Sequence, residues 1–194
     1  MGFYPVGAVA GGSGIPWIPS DNNLLLANGD PWDANSTITV SAGVQYLIKL
    51  SARQTTLISN LWFGLQTIGA GTSSGSFAGL ISSSGSVLTS SSDIGSLLTG
   101  TPEAIEVALT TPQTVTAGTF VWAVFLSNLL VTQPTLAKGI GGSGGTSGAP
   151  PIPNAGLTAA SYRFAQNGSG LSVITAITPS ANAGTTGDIW VGAS

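Results

Sequence analysis

From residue 38 onward the chain reads in twos. Val44, Tyr46, Ile48 and Leu50 alternate with Gln45, Leu47 and Lys49, which sets one apolar face on a strand over 44–50. The segment 57–65, with Trp62 and Phe63, predicts a further strand before the Gly- and Ser-rich stretch 69–75. Residues 77–81 and 87–88 flank Ser82-Ser83-Ser84-Gly85, a hairpin signal. After Pro102, Ile105, Val107 and Leu109 alternate with Glu106 and Ala108. The stretch 120–126 is apolar at every position. It predicts a strand buried on both faces, either central in its sheet or covered on its outer face by a neighbouring subunit. Strand-like stretches return at 162–164, 171–177 and 189–191.

No window of a dozen residues carries a 3.6-residue period with caps, so no long helix is predicted. Short strands at turn-rich intervals predict an all-β fold, a jelly-roll-like antiparallel β-sandwich. Two strand starts echo each other. Thr39-Val40-Ser41-Ala42-Gly43 leads into 44–50, and Thr114-Val115-Thr116-Ala117-Gly118 leads into 119–126. Each Ala-Gly is expected to be a turn with positive φ just before a strand begins.

The first 36 residues break every period, through Gly11-Gly12-Ser13-Gly14, Pro16, Pro19, Asn28-Gly29 and Pro31. They are nevertheless apolar and aromatic, whereas a disordered tail is charged and poor in aromatics. The expected organisation is therefore an extended docking arm over 1–36 and a β-sandwich over 37–194. Phe3, Tyr4, Trp17 and Trp32 are candidate assembly contacts, and removal of 1–36 is expected to leave the sandwich folded. Trp62 and Trp122 lie in apolar strands and are expected in the core. Trp190, near the carboxyl end, is a candidate surface contact. The Gly/Ser/Pro-rich run 139–153 reads as a connection that crosses the outside of the sandwich or marks a subunit contact.

Charge changes the picture most. Four Lys or Arg and seven Asp or Glu are all that 194 residues carry, 6% of the chain, against about 25% in a typical soluble domain. Neutral polar groups must cover the surface, with little repulsion to keep copies apart. Such a surface fits burial against other subunits, or a monomer with a Ser/Thr-rich coat. Four scattered basic residues exclude a phosphate-tracking stripe, so no nucleic-acid partner is expected. The opening Met1-Gly2-Phe3-Tyr4-Pro5-Val6 has no basic stretch or long apolar run and does not read as a secretory signal. No apolar run approaches the roughly 18 residues of a spanning helix, so membrane insertion is not expected.

The chain has no His and no Cys. His-dependent triads, His general bases, Cys nucleophiles and His- or Cys-based zinc sites are excluded. A glycosidase needs two carboxyl groups about 5–9.5 Å apart; Asp30 with Asp33, Asp93, or Glu103 with Glu106 would have to supply them. Glu103 and Glu106 face opposite sides if they share a strand, and Asp30-Pro31-Trp32-Asp33 reads as an Asx turn. No enzyme activity and no cofactor are expected. Asp21, Asn22, Asn23, Asp30 and Asp33 offer oxygens to Ca²⁺, but their spacing matches no Ca²⁺ loop, so turns are expected instead. Gly139-Ile140-Gly141-Gly142-Ser143-Gly144 has the letters of a dinucleotide fingerprint without the helix that must follow.

The segment 42–138 resembles a module of tail and fibre proteins from phages of Gram-positive hosts, notably actinobacteria. The resemblance lies in Gly43-Val44-Gln45-Tyr46-Leu47-Ile48-Lys49-Leu50, then Ile58-Ser59-Asn60-Leu61-Trp62, then Phe77-Ala78-Gly79-Leu80 with Ser83-Ser84-Gly85-Ser86-Val87-Leu88. It continues through Leu109-Thr110-Thr111-Pro112, Thr116-Ala117-Gly118-Thr119-Phe120 and Gln133-Pro134-Thr135-Leu136-Ala137-Lys138. Gly156-Leu157-Thr158 and Tyr162-Arg163-Phe164-Ala165 are similar to that family's closing strands. The resemblance implies a β-sandwich on a virion, usually a homotrimer, in the tail or fibre apparatus and in contact with other virion proteins. A head-decoration protein clamped by its arm is the alternative. An adhesion module binding host cell-surface glycan is an alternative of another class.

Overall fold

The computed structural model describes residues 17–34, 36–71, 75–139, 154, 156–185 and 187–194. Among these, the strands are β1 (Leu26–Ala27), β2 (Ser36–Thr39), β3 (Gln45–Ser51), β4 (Thr56–Thr67), β5 (Phe77–Ser82) and β6 (Val87–Ser90). They continue with β7 (Ala104–Val115), β8 (Phe120–Leu126), β9 (Thr135–Lys138), β10 (Phe164–Asn167), β11 (Ala183–Gly184) and β12 (Val191–Ala193). One sheet runs β1-β12-β4-β9-β2, with β7 also paired to β4; the other runs β11-β10-β3-β8-β5-β6. Every pairing between these strands is antiparallel. From β2 onward the chain crosses between sheets at almost every connection, and only β5–β6 and β10–β11 stay within one sheet. The all-β antiparallel sandwich expected from the hydrophobic pattern is the fold found, and its only α-helical stretch among the described residues is one turn, Gly95–Leu98.

Alternation builds the core. Tyr46, Ile48 and Leu50 of β3 meet Leu61, Phe63 and Leu65 of β4, Ile105, Val107 and Leu109 of β7, and Val121, Ala123 and Phe125 of β8. Phe63 and Phe125 join the sheets with ring centroids 5.1 Å apart. The two Ala-Gly turns form as expected, with Gly43 at φ +67° and Gly118 at φ +78°. The Ser82–Gly85 hairpin forms as well: the Ser86 amide donates to Ser82 Oγ at 3.0 Å, and Gly85 has φ +96°.

Strand β8 is central, between β3 and β5. Its outward residues Trp122 and Val124 join Leu47, Ile81, Ala165 and Ile177 in a second cluster, with Ile174 packed against it. The cover over that outer face is this chain's own. Residues 171–177 do not form the strand expected of them. They lie as a strap over the outer face, where no strand edge is available to pair with. Leu171 N–H donates to Gly43 O at 3.0 Å and Ile177 N–H to Gly85 O at 2.9 Å. Buried Gln45 clasps the strap midway: Thr175 N–H donates to its Oε1 at 2.8 Å, and its Nε2 donates to Thr175 O at 3.3 Å. The strand expected at 189–191 lies two residues later, at β12.

The boundary expected at residue 36 also shifts. Leu26 sits in the main core and β1 pairs with β12. Asn28 locks the contact, donating from Nδ2 to Ile189 O at 2.9 Å and accepting from Val191 N–H at 2.8 Å. Residues 24–28 are therefore part of the sandwich, because their apolar side chains complete it. Removing 1–36 would strip a strand and core side chains, so the sandwich is not expected to stay intact without them. Phe3 and Tyr4, and most of 139–153, lie outside the described residues.

At the end of β9, Lys138 Nζ lies 3.2 Å from Asp188 Oδ1, with side-chain exposures of 6% and 1%. Burial pushes the Asp188 carboxyl above its usual range, opposed by the neighbouring Lys138 charge.

Candidate functional site

The alternation that buries Leu61, Phe63 and Leu65 turns Trp62, Gly64 and Gln66 to the outer face of the first sheet. Beside them β9 presents Ala137, and Gly192 lies on β12. A Cβ on Gly64 would come within 2.8 Å of the Ala137 Cβ, so only glycine lets the strands approach with this surface. Small side chains in the middle of a sheet face leave a hollow. Asn22, Asn23, Leu24, Pro31 and Ala34 wall it on one side, and Pro102, Glu103 and Ala104 wall it where β7 begins. With Trp62 and Trp190 they enclose a cleft of about 630 Å³.

Both tryptophans depart from expectation. Trp62, expected in the core, is half-buried and lines the cleft, because its position on β4 has outward parity. Trp190, expected at the surface, is 6% exposed, packed in a small cluster with Leu24 and Ala137. The N-terminal segment covers it, and its Nε1 donates to Gly29 O at 2.9 Å. Trp62 Nε1 donates to Ser194 Oγ at 3.0 Å. Trp17, half-buried, donates from Nε1 to Asn22 Oδ1 at 2.8 Å. All three indole N–H groups are thus satisfied within the chain. The side chains of Asn23, Gln66 and Glu103 are exposed at the cleft and make no hydrogen bond with the described residues.

No match to the chain is found among protein-family models, curated proteins or solved structures.

The remaining candidate residues take local roles. Asp30 Oδ1 accepts from Trp32 N–H at 2.9 Å, the Asx turn expected there. Asp21 accepts from Ile18 N–H at 3.1 Å. Asp93 accepts from Gly75 N–H at 3.0 Å and Gly95 N–H at 2.9 Å, holding two loops together. Among the described residues no group of three or more His, Cys, Asp or Glu is placed to hold a metal ion. Glu103 is the one acidic side chain among the described residues that line the cleft. Glu106 pairs opposite Trp62 in the β4–β7 ladder and is exposed. No helix among the described residues is long and apolar enough to cross a membrane.

Trp32 stands 88% exposed, and Leu130 and Val131, in the β8–β9 connection, are 73% and 75% exposed. The cleft itself went unread in the sequence. The signal was available in Trp62-Phe63-Gly64-Leu65-Gln66, where a large, a small and a polar residue share the outward parity.

Proposed function

We propose that this chain is a non-catalytic structural subunit of a bacteriophage particle, a surface β-sandwich of the tail or fibre apparatus acting in repeated copies. What carries the reading is the surface: Trp32, Leu130 and Val131 stand in water on a chain with four basic and seven acidic residues. Exposed large apolar side chains on a weakly charged surface favour association over dispersion. The phage setting and the homotrimer are supported by the resemblance of 42–138. In such an assembly, weak contacts gain avidity by repetition without any strong single site.

The test is immunogold labelling of purified particles with an antibody to this chain, with the mass of the isolated protein measured in solution. Label on the tail or its tip, and a trimer mass lost in a Leu130→Asp/Val131→Asp variant, is the expected result. Label over the head makes the chain a decoration protein. No label on any intact particle removes the virion reading.

A further inference from the structure

We infer that the cleft on the outer face of the first sheet binds a neutral saccharide, with Trp62 as its stacking platform. This stands independently of where, or whether, the chain is built into a particle. A pyranose has an apolar C–H face and an edge of hydroxyls, and the cleft offers both complements. Trp62 lines it with its N–H already engaged by Ser194, which leaves the ring for apolar contact. Asn23, Gln66 and Glu103 stand around it with side-chain donors and acceptors unused by the described residues.

The charge of the lining selects the class of sugar. Glu103 is the only ionisable side chain among the described lining residues, with no Lys or Arg beside it. An acidic sugar would meet a like charge and no cation, so a neutral one is favoured. The volume of about 630 Å³ lies within the roughly 300–1,000 Å³ of small-molecule sites. A wholly apolar occupant, such as a peptide segment, fits less well. It would cover Asn23, Gln66 and Glu103 without replacing the water that solvates them.

The test uses the full chain with neutral trisaccharides of glucose, galactose, mannose, arabinose and N-acetylglucosamine as probes. Saturation-transfer NMR and tryptophan fluorescence report binding. At least one probe should saturate. Trp62→Ala should weaken it by about tenfold or more, equivalent to removal of one good contact. Trp62→Phe should retain part of the affinity, and Gln66→Ala and Glu103→Gln should each weaken it severalfold. Trp32→Ala, outside the cleft, should leave it unchanged. Failure of every probe to saturate would overturn the inference. So would saturable binding that survives both Trp62→Ala and Gln66→Ala intact, since the site would then lie elsewhere. Displacement of the probe by a synthetic peptide of residues 1–16, with no saccharide competing against another, would assign the cleft to the apolar segment instead.

Discussion

The two outer faces of the sandwich start from similar material and end differently. Each carries a tryptophan on a long strand, Trp122 on β8 and Trp62 on β4. Around Trp122 lie Leu47, Ile81 and Val124, and the strap over 171–177 seals them from water. Around Trp62 lie Gly64 and Ala137, and the chain folds to the two sides, leaving a cleft. A face of large side chains can bury a strap at a profit in apolar area. A face of small ones offers too little area to offset the ordering of a covering segment. The residue beside the tryptophan, more than the tryptophan itself, decides whether the face becomes core or site.

The largest expected break in this comparison is Trp122→Ala. With Trp122 fully buried, the loss should be about 3–5 kcal/mol, read by chemical denaturation. The echoing turns sharpen it next. Gly43 and Gly118 share a positive φ, but a Cβ on Gly43 would sit 2.7 Å from the Gly170 Cα at the start of the strap, and one on Gly118 would meet nothing within 4 Å. Gly43→Ala should therefore cost about 3 kcal/mol, and Gly118→Ala about 1 kcal/mol. Equal losses in the two variants would show that the strap does not press on the first turn.

Gln45→Ala leaves the Thr175 N–H and C=O without their clasp, a loss of about 1–3 kcal/mol. Hydrogen exchange at the Thr175 amide should rise while the β4–β7 ladder stays protected. A uniform rise would mean the strap and sandwich open together. On the cleft side, Trp62→Ala should cost only about 1 kcal/mol, because the side chain is half-buried.

A smaller effect belongs to Asp188. Its carboxyl is raised in the folded state by burial, so the folded protein takes up the proton before the unfolded chain does. Its contribution is complete below the unfolded value of about 3.9 and is lost as pH rises through the folded value. As pH is lowered toward that value, wild type should gain stability relative to Asp188→Asn. An unchanged difference across acid pH would mean that Lys138 holds the group at its ordinary value.

Much of the fold was legible because strands with one buried face declare themselves by alternation. The segments 44–50, 57–65, 105–109 and 120–126 are strands for the reason their patterns state. The turns at Gly43, Gly85 and Gly118 were legible because few residues other than glycine reach that backbone conformation cheaply. The strap at 171–177 was not, since an extended segment has the same local pattern whether it pairs with a strand edge or lies over a face. Leu24 and Leu26 were misplaced for a related reason: Pro and Gly nearby disguise a short segment that completes a sheet.

The sequence alone determined the class of fold, the turns that separate its strands, and the exclusion of His- and Cys-dependent chemistry. Each depends on local pattern or on composition. Tertiary structure alone decided that Trp190 is covered, that Trp62 lines a cleft, and that Asn23, Gln66 and Glu103 gather around it. These depend on which distant strands become neighbours, and that is set by the packing of the whole sandwich rather than by any one segment.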